Sequence, residues 1–177
     1  MNILITGTTG FLGKVFLLDV LDKHNNMINK IYLLIRDKYN LSPEKRFKKM
    51  INNPFLKEKF LPYLDKISVI GGSLEYKNFG IEENILKNLD INIVVNNAAS
   101  IKFNDTILNA YEKNCQTLIN LLECSINHFT NLHKMIHIST FYVNFPKGIN
   151  NNIIIDYKNI IKDIQNGLEI NDINKKY

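Results

Sequence analysis

Near the start of the chain, Thr6-Gly7-Thr8-Thr9-Gly10-Phe11-Leu12-Gly13 has the residue types and spacing that hold a diphosphate. Glycine at 7 permits a tight turn, glycine at 10 lets the backbone approach the anion, and glycine at 13 lets a helix pack close. The apolar run Ile3-Leu4-Ile5 stands directly before this segment, and helical periodicity begins inside it. The first N–H groups of that helix then point at the anion. The cofactor-binding set read here is Thr6, Gly7, Thr9, Gly10, Phe11, Leu12 and Gly13.

Three further segments follow strands in the same way. Arg36 stands after Lys30-Ile31-Tyr32-Leu33-Leu34-Ile35, where an acidic residue would accept bonds from the ribose hydroxyls of NADH. A guanidinium suits a 2′-phosphate instead, so the expected cofactor is NADPH, with NADH second, although Asp37 is adjacent. Asn97, Ala98 and Ala99 are small residues at the end of another strand, able to pass beneath a bound cofactor. Ser139 and Thr140 follow a fifth strand, where a hydroxyl can donate to a carbonyl oxygen as negative charge develops on it.

The elements that must position these residues alternate. Strands are expected at Ile3–Ile5, Lys30–Ile35, Lys66–Ile70, Ile91–Val95 and Lys134–Ile138. Helices are expected over Phe11–Leu21, from Ser42-Pro43-Glu44, after Pro54, over Glu82–Leu89 and over Asp105–Phe129 as one long helix. On the first helix the apolar side is read as Phe11, Val15, Leu18 and Leu21, or as Leu12, Phe16 and Val20. Strand-helix alternation with nearly all-apolar strands gives an α/β fold with a Rossmann-type doubly wound parallel sheet, here ending after about five strands. Residues 1–145 are expected to form the dinucleotide-binding domain, and 146–177 the start of an incomplete substrate region.

The chain of 177 residues has room for one globular domain, with 45% hydrophobic and 22% charged residues. Its formal charge of +5 comes from scattered lysines, which reads as a solvated surface and not as a nucleic-acid site. Cys115 and Cys124 would point to opposite faces of one helix, so they are expected to be unpaired core thiols. His24, His128, His133 and His137 have no ligand spacing, so no metal is expected, and His137 reads as a satisfied core histidine. The aromatic residues around 55–63 read as packing. No segment reaches the length of a membrane span.

Taken together, these segments resemble the extended short-chain dehydrogenase/reductases, and within them the fatty acyl-CoA reductases and related thioester reductases. The resemblance rests on TGTTGFLGK at 6–14, IYLLIR at 31–36, RFKKMINNPFLKEKF at 46–60, NNAASIKF at 96–103 and HISTFYVN at 137–144. The insertion carrying Arg46 and Asn53-Pro54-Phe55 discriminates most, because sugar-nucleotide epimerases and dehydratases of the superfamily lack it. The resemblance implies that Gly7, Gly10 and Gly13 bind pyrophosphate and Arg36 the 2′-phosphate. It further implies that Ala98 and Ala99 line the cofactor floor, and that Asn114 fixes the backbone after the fourth strand. Thr140, or else Ser139, would be the catalytic hydroxyl that polarises the acyl carbonyl. Reductases of this kind show Gly-Asp-Leu after the third strand, the Asp meeting adenine; here Gly72-Ser73-Leu74 stands there, which puts Ser73 and Leu74 in the cofactor-binding set. Phe145 replaces a glycine that follows the Tyr-Val-Asn segment.

The implied activity is NADPH-dependent reduction of a fatty acyl-CoA to aldehyde or alcohol, with acyl-CoA as the substrate partner. The family's catalytic Tyr and Lys, with three residues between them, do not occur; Tyr157 and Lys162 have four between them. The chain therefore reads as the N-terminal part of a longer reductase, inactive alone. Alternative readings are a non-catalytic NAD(P)-binding sensor or scaffold, or an epimerase-like protein. A cytoplasmic location, or peripheral contact with an endoplasmic-reticulum or peroxisomal membrane, is what the resemblance implies; the oligomeric state stays open.

Overall fold

Period-two alternation along the strands sorts the apolar side chains onto two faces of one sheet. In a computed structural model, which describes residues 1–102 and 104–139, β1 (Asn2–Thr6) lies between β2 (Lys30–Ile35) and β4 (Ile93–Asn96). β3 (Ile67–Gly71) and β5 (Lys134–His137) complete a five-stranded sheet of order β3-β2-β1-β4-β5, with every pairing parallel. Ile3, Ile5, Ile31, Leu33, Ile35 and Val95 face one layer, while Leu4, Leu34 and Val94 face the other. Both faces are covered, which is why the strands are apolar almost throughout.

The first layer holds α1 (Phe11–His24), α2 (Pro43–Ile51) and α3 (Pro54–Phe60). Leu17 and Leu21 of α1 are completely buried, with Met50 and Phe60 beside them. The face of α1 expected from the sequence is corrected in part: Leu21 is core and Phe16, Leu18 and Val20 pack against it, but the expected N-terminal residues do not. Its buried stripe is Gly13, Leu17 and Leu21, whereas Phe11, Leu12 and Val15 are exposed. Apolar residues stand on most sides of α1, from Phe11 and Leu12 through Val15, Phe16, Leu17, Leu18, Val20 and Leu21, leaving periodicity little contrast with which to pick a face. Ser42 caps α2 by accepting from Lys45 N, and Asn53 caps α3 by accepting from Phe55 N, as their types predict. Of the aromatics around 55–63, Phe60 is core, but Phe55 is exposed at the corner between α2 and α3.

The second layer holds α4 (Glu83–Lys87) and the helical stretch 107–128. That stretch is not one regular helix. α5 (Ile107–Tyr111) passes through a π-helical turn, Glu112–Gln116, into α6 (Thr117–His128). The extra residue of a π-turn resets the faces, so Tyr111 and Leu121 are buried while Leu108 and Leu122 are exposed. Cys124 is a buried free thiol as expected; Cys115, in the π-turn, is exposed and not a core thiol. His137 is likewise exposed. Among the described residues, no helix is long and apolar enough to cross a membrane.

Because all five strands run the same way, their carboxyl ends share one edge. Strand order reverses between β1 and β4, where helices leave in opposite directions, and a crevice opens outside the strand ends at such a switch point. The glycine-rich turn after β1 and the Asn-Ala-Ala segment after β4 border it.

Candidate functional site

The turn between β1 and α1 is built by contacts that admit only glycine at two of its three positions. Gly7 adopts φ +71°, and a Cβ there would stand 2.5 Å from the Asn97 carbonyl oxygen. A Cβ on Gly13 would stand 2.4 Å from the Gly7 carbonyl oxygen and 2.7 Å from Thr8 Cα. Both clashes are with backbone, so neither can be relieved by a rotamer change. Gly10 differs. Its Cβ would meet only the Gly7 carbonyl oxygen, at 3.3 Å, and otherwise open space.

Gly10 is also the N-cap of α1, which carries no side-chain cap and no acidic residue in its first turn. The amides of that turn have no intrahelical partner, and they carry the positive end of the helix dipole. Beneath them the Thr8 hydroxyl is fully buried with no hydrogen-bond partner among the described residues. A cradle that a Cβ at position 10 would fill, over free amides, fits a diphosphate. Phe11 and Leu12 stand exposed at its mouth.

Thr6 locks this turn to the neighbouring strand. Its buried hydroxyl donates to Asn96 Oδ1 (2.6 Å) and accepts from the amides of Asn97 (3.2 Å) and Ala98 (3.1 Å). Asn97 Nδ2 reaches back to the Gly7 carbonyl (3.5 Å). Asn96 in turn donates through Nδ2 to His137 Nδ1 (3.1 Å), so one buried side chain ties β1, β4 and β5 together at their carboxyl ends. Asn96 stands one residue past the expected end of the fourth strand at Val95 and has no role assigned from sequence; a polar residue directly after an apolar strand is the available signal.

After β4 the chain is held by Asn114. Its Oδ1 accepts from Ser100 N (2.7 Å) and its Nδ2 donates to Ser100 O (3.2 Å), a two-bond clamp on the backbone following Ala98 and Ala99. Asn114 sits in the π-turn, which therefore has a positional purpose. Ala98 is partly buried against the second core cluster, and Ala99 is exposed.

At the end of β2 two guanidiniums converge. Arg36 pairs with Glu75 (2.5 Å), both side chains about half exposed. Arg46, from α2, donates to the Arg36 carbonyl and to Thr9 Oγ1 (2.9 Å), which hooks the inserted helix onto the glycine turn. Desolvation lowers the Arg46 pKa from its ordinary value, and the Arg36 charge lowers it further. Two like charges held together gain from an anion between them. From sequence, Arg46 marks the insertion and carries no binding role. Its position in the first helical turn after Pro43 was the signal that could have given one.

Arg36 and Glu75 line a cavity of about 550 Å³ together with Asp37, Pro43, Gly72 and Ser73. Ser73 Oγ accepts from Glu75 N (3.3 Å), so it shapes the local turn. Leu74 lies in the core beneath, its carbonyl held by Asn120 Nδ2 (2.8 Å), and does not line the cavity. Ser139 is exposed beyond β5. Thr140, and with it Tyr157 and Lys162, lies outside the described residues. Among the described residues no group of three or more His, Cys, Asp or Glu side chains is placed to hold a metal.

Comparison with known proteins agrees with this fold. The family described as "Male sterility protein", an NAD-binding family, matches residues 5–176. Fatty acyl-CoA reductase 1 of Gallus gallus is 32% identical over 146 residues, which is 80% of this chain and 28% of that protein. Fatty acyl-CoA reductase 1 of Homo sapiens is 27% identical over 187 residues, covering 99% of this chain and 36% of its own length. Among solved structures, a thiolation-reductase di-domain from an archaeal non-ribosomal peptide synthetase superposes with a TM-score of 0.69 at 25% identity, covering 88% of this chain and 31% of that one. The chain thus spans about a third or less of the length of most proteins it matches.

Proposed function

Since the chain belongs to the NAD-binding family described as male sterility protein, we propose that it holds NADPH for the reduction of a fatty acyl thioester. The observation that carries the choice of NADPH is the convergence of Arg36 and Arg46 at the end of β2, where NADH would call for a carboxylate. The glycine turn and the first amides of α1 hold the diphosphate, with Gly10 as the point of closest approach. Thr6, Asn96, Asn97 and Asn114 do not touch the anion; they keep the two sides of the crevice at fixed separation.

When bound, the cofactor supplies hydride to the substrate carbonyl. This chain's part is to orient and to exclude water. Thr140, or Ser139, which follow β5 in the sequence, would donate to the acyl oxygen as charge builds there. The substrate is read as an acyl-CoA, because the matched relatives are fatty acyl-CoA reductases. In a complete enzyme a tyrosine and a lysine with three residues between them would complete the proton supply.

The second reading is a cofactor-binding module without catalysis. Within these 177 residues no lysine follows a tyrosine with three residues between, so cofactor binding is the part of either reading that this chain can test. Because the chain reads as inactive alone, the readout that separates the two is binding of acyl-CoA to the NADPH-loaded protein: the cofactor part of a reductase holds the thioester beside the nicotinamide, and a module without catalysis does not. Cofactor binding itself is tested by NADPH fluorescence. The parent chain should enhance it on titration and a folded Gly10→Val variant should not; an unchanged response in the variant would overturn the assigned cradle.

A further inference from the structure

The Arg36 guanidinium, offered above to a 2′-phosphate, is already in contact with an anion of the protein itself. Glu75 Oε1 lies 2.5 Å from Arg36 Nη1. Three carboxylates line the cavity, from Asp37, Glu44 and Glu75, and among the described residues Glu75 is the one paired with Arg36. Its position is not accidental to a loose loop. The Glu75 amide is bonded to Ser73 Oγ, Tyr76 N donates to the Ser73 carbonyl (3.1 Å), and the preceding Leu74 is anchored in the core. The turn after β3 therefore presents the carboxylate at the cavity wall opposite the end of β2.

We propose that Glu75 is a selectivity residue that sets how strongly the site prefers NADPH over NADH, acting by competing with the 2′-phosphate for Arg36. The inference rests on the cofactor reading above and deepens it. A half-exposed ion pair in water is weak, so a dianionic phosphate displaces the carboxylate readily. The displaced charge stays at the wall, however, and repels the phosphate that replaced it. With NADH there is no phosphate to repel. Glu75 can then accept from a ribose hydroxyl, as an acidic residue does at this edge of other dinucleotide sites. Arg46 is not open to the same competition, because its two arms are committed to the Arg36 carbonyl and Thr9. One arginine is thus structural at rest and the other is held by a removable counterion.

The test compares dissociation constants of NADPH and NADH, at low and at high salt, for the parent chain, Glu75→Gln and Glu75→Asp. Glu75 is exposed enough that all three should fold, which melting curves verify. Glu75→Gln is expected to bind NADPH about three- to tenfold more tightly, with NADH unchanged or weaker, and the gain should shrink in high salt. Glu75→Asp keeps the charge and should hold the NADPH-to-NADH ratio within about twofold of the parent. Equal changes for both cofactors, or an unchanged ratio in Glu75→Gln, would overturn the proposal while leaving the cofactor reading intact. If the parent binds neither cofactor, the cofactor reading falls and this inference falls with it.

Discussion

The hydroxyl of Thr6 and the side-chain amide of Asn96 meet across the switch point of the sheet in a buried 2.6 Å hydrogen bond, donor on β1 and acceptor on β4. Two backbone amides, of Asn97 and Ala98, converge on the same hydroxyl. A single side chain thus fixes the spacing of the crevice at its narrowest point. Replacing Thr6 by valine keeps the shape and strands three partners in a dry place. We expect a loss of about 2–3 kcal/mol in urea denaturation, because buried unsatisfied groups cost roughly 1–3 kcal/mol each and some relaxation is available. A loss under about 0.5 kcal/mol would show that water reaches the site.

The three glycines separate into two kinds, and stability measurements should tell them apart. Gly7→Ala and Gly13→Ala force a methyl into backbone at 2.5 Å and 2.4 Å and should each lower stability by about 2–4 kcal/mol. Gly10→Ala has room and should cost under about 1 kcal/mol while weakening cofactor affinity. The reverse ordering in chemical denaturation would mean the turn is not held as described.

Arg46 touches both the glycine turn and Arg36, so its loss should be felt by the phosphate-bearing cofactor. Arg46→Met is expected to weaken NADPH binding by roughly tenfold or more and NADH binding much less, since a charge-assisted bond contributes about 1.5–3 kcal/mol. Calorimetric affinities for both cofactors check this; equal weakening would assign Arg46 to the architecture of the turn alone.

Burial pushes the Cys124 thiol up from 9.0 to about 12, while Cys115 is exposed. A thiol reagent at pH about 8 should label Cys115 in the native protein and Cys124 only on unfolding. The folded state keeps the Cys124 proton that the unfolded chain releases above pH about 9. Its contribution is therefore full below pH 9 and is lost as pH rises from 9 towards about 12, on the order of 4 kcal/mol at the far end. Alkaline unfolding shifted upwards in Cys124→Ala, after allowing for the cavity, is the expected sign. Rapid native labelling of both thiols would contradict it.

Much of the fold was legible because local signals agreed with one another. The strand at 30–35 matches its expected bounds, and Ser42-Pro43 and Asn53-Pro54 mark helix starts by cap chemistry that needs no tertiary information. What stayed hidden depended on contrast or on distance. α1 is apolar on most sides, so its buried stripe could not be chosen from Leu12, Val15, Leu17 or Leu18 without the sheet in place. The π-turn leaves no composition mark, yet it carries Asn114 to Ser100. In the site, the tight turn at the glycines and the place of Arg36 directly after β2 were legible from spacing. The Arg46–Thr9 and Arg36–Glu75 contacts span 37 and 39 positions, and nothing in sequence spacing announces them.

Isothermal calorimetry of NADPH against this chain tests the central claim most directly, with 2′,5′-ADP as competitor. Binding of one NADPH per chain, displaced by 2′,5′-ADP and lost in Gly10→Val, is the result expected of an anion cradle joined to a pair of arginines. Absence of measurable heat at any concentration, or binding that the nucleotide bisphosphate leaves untouched, would contradict it.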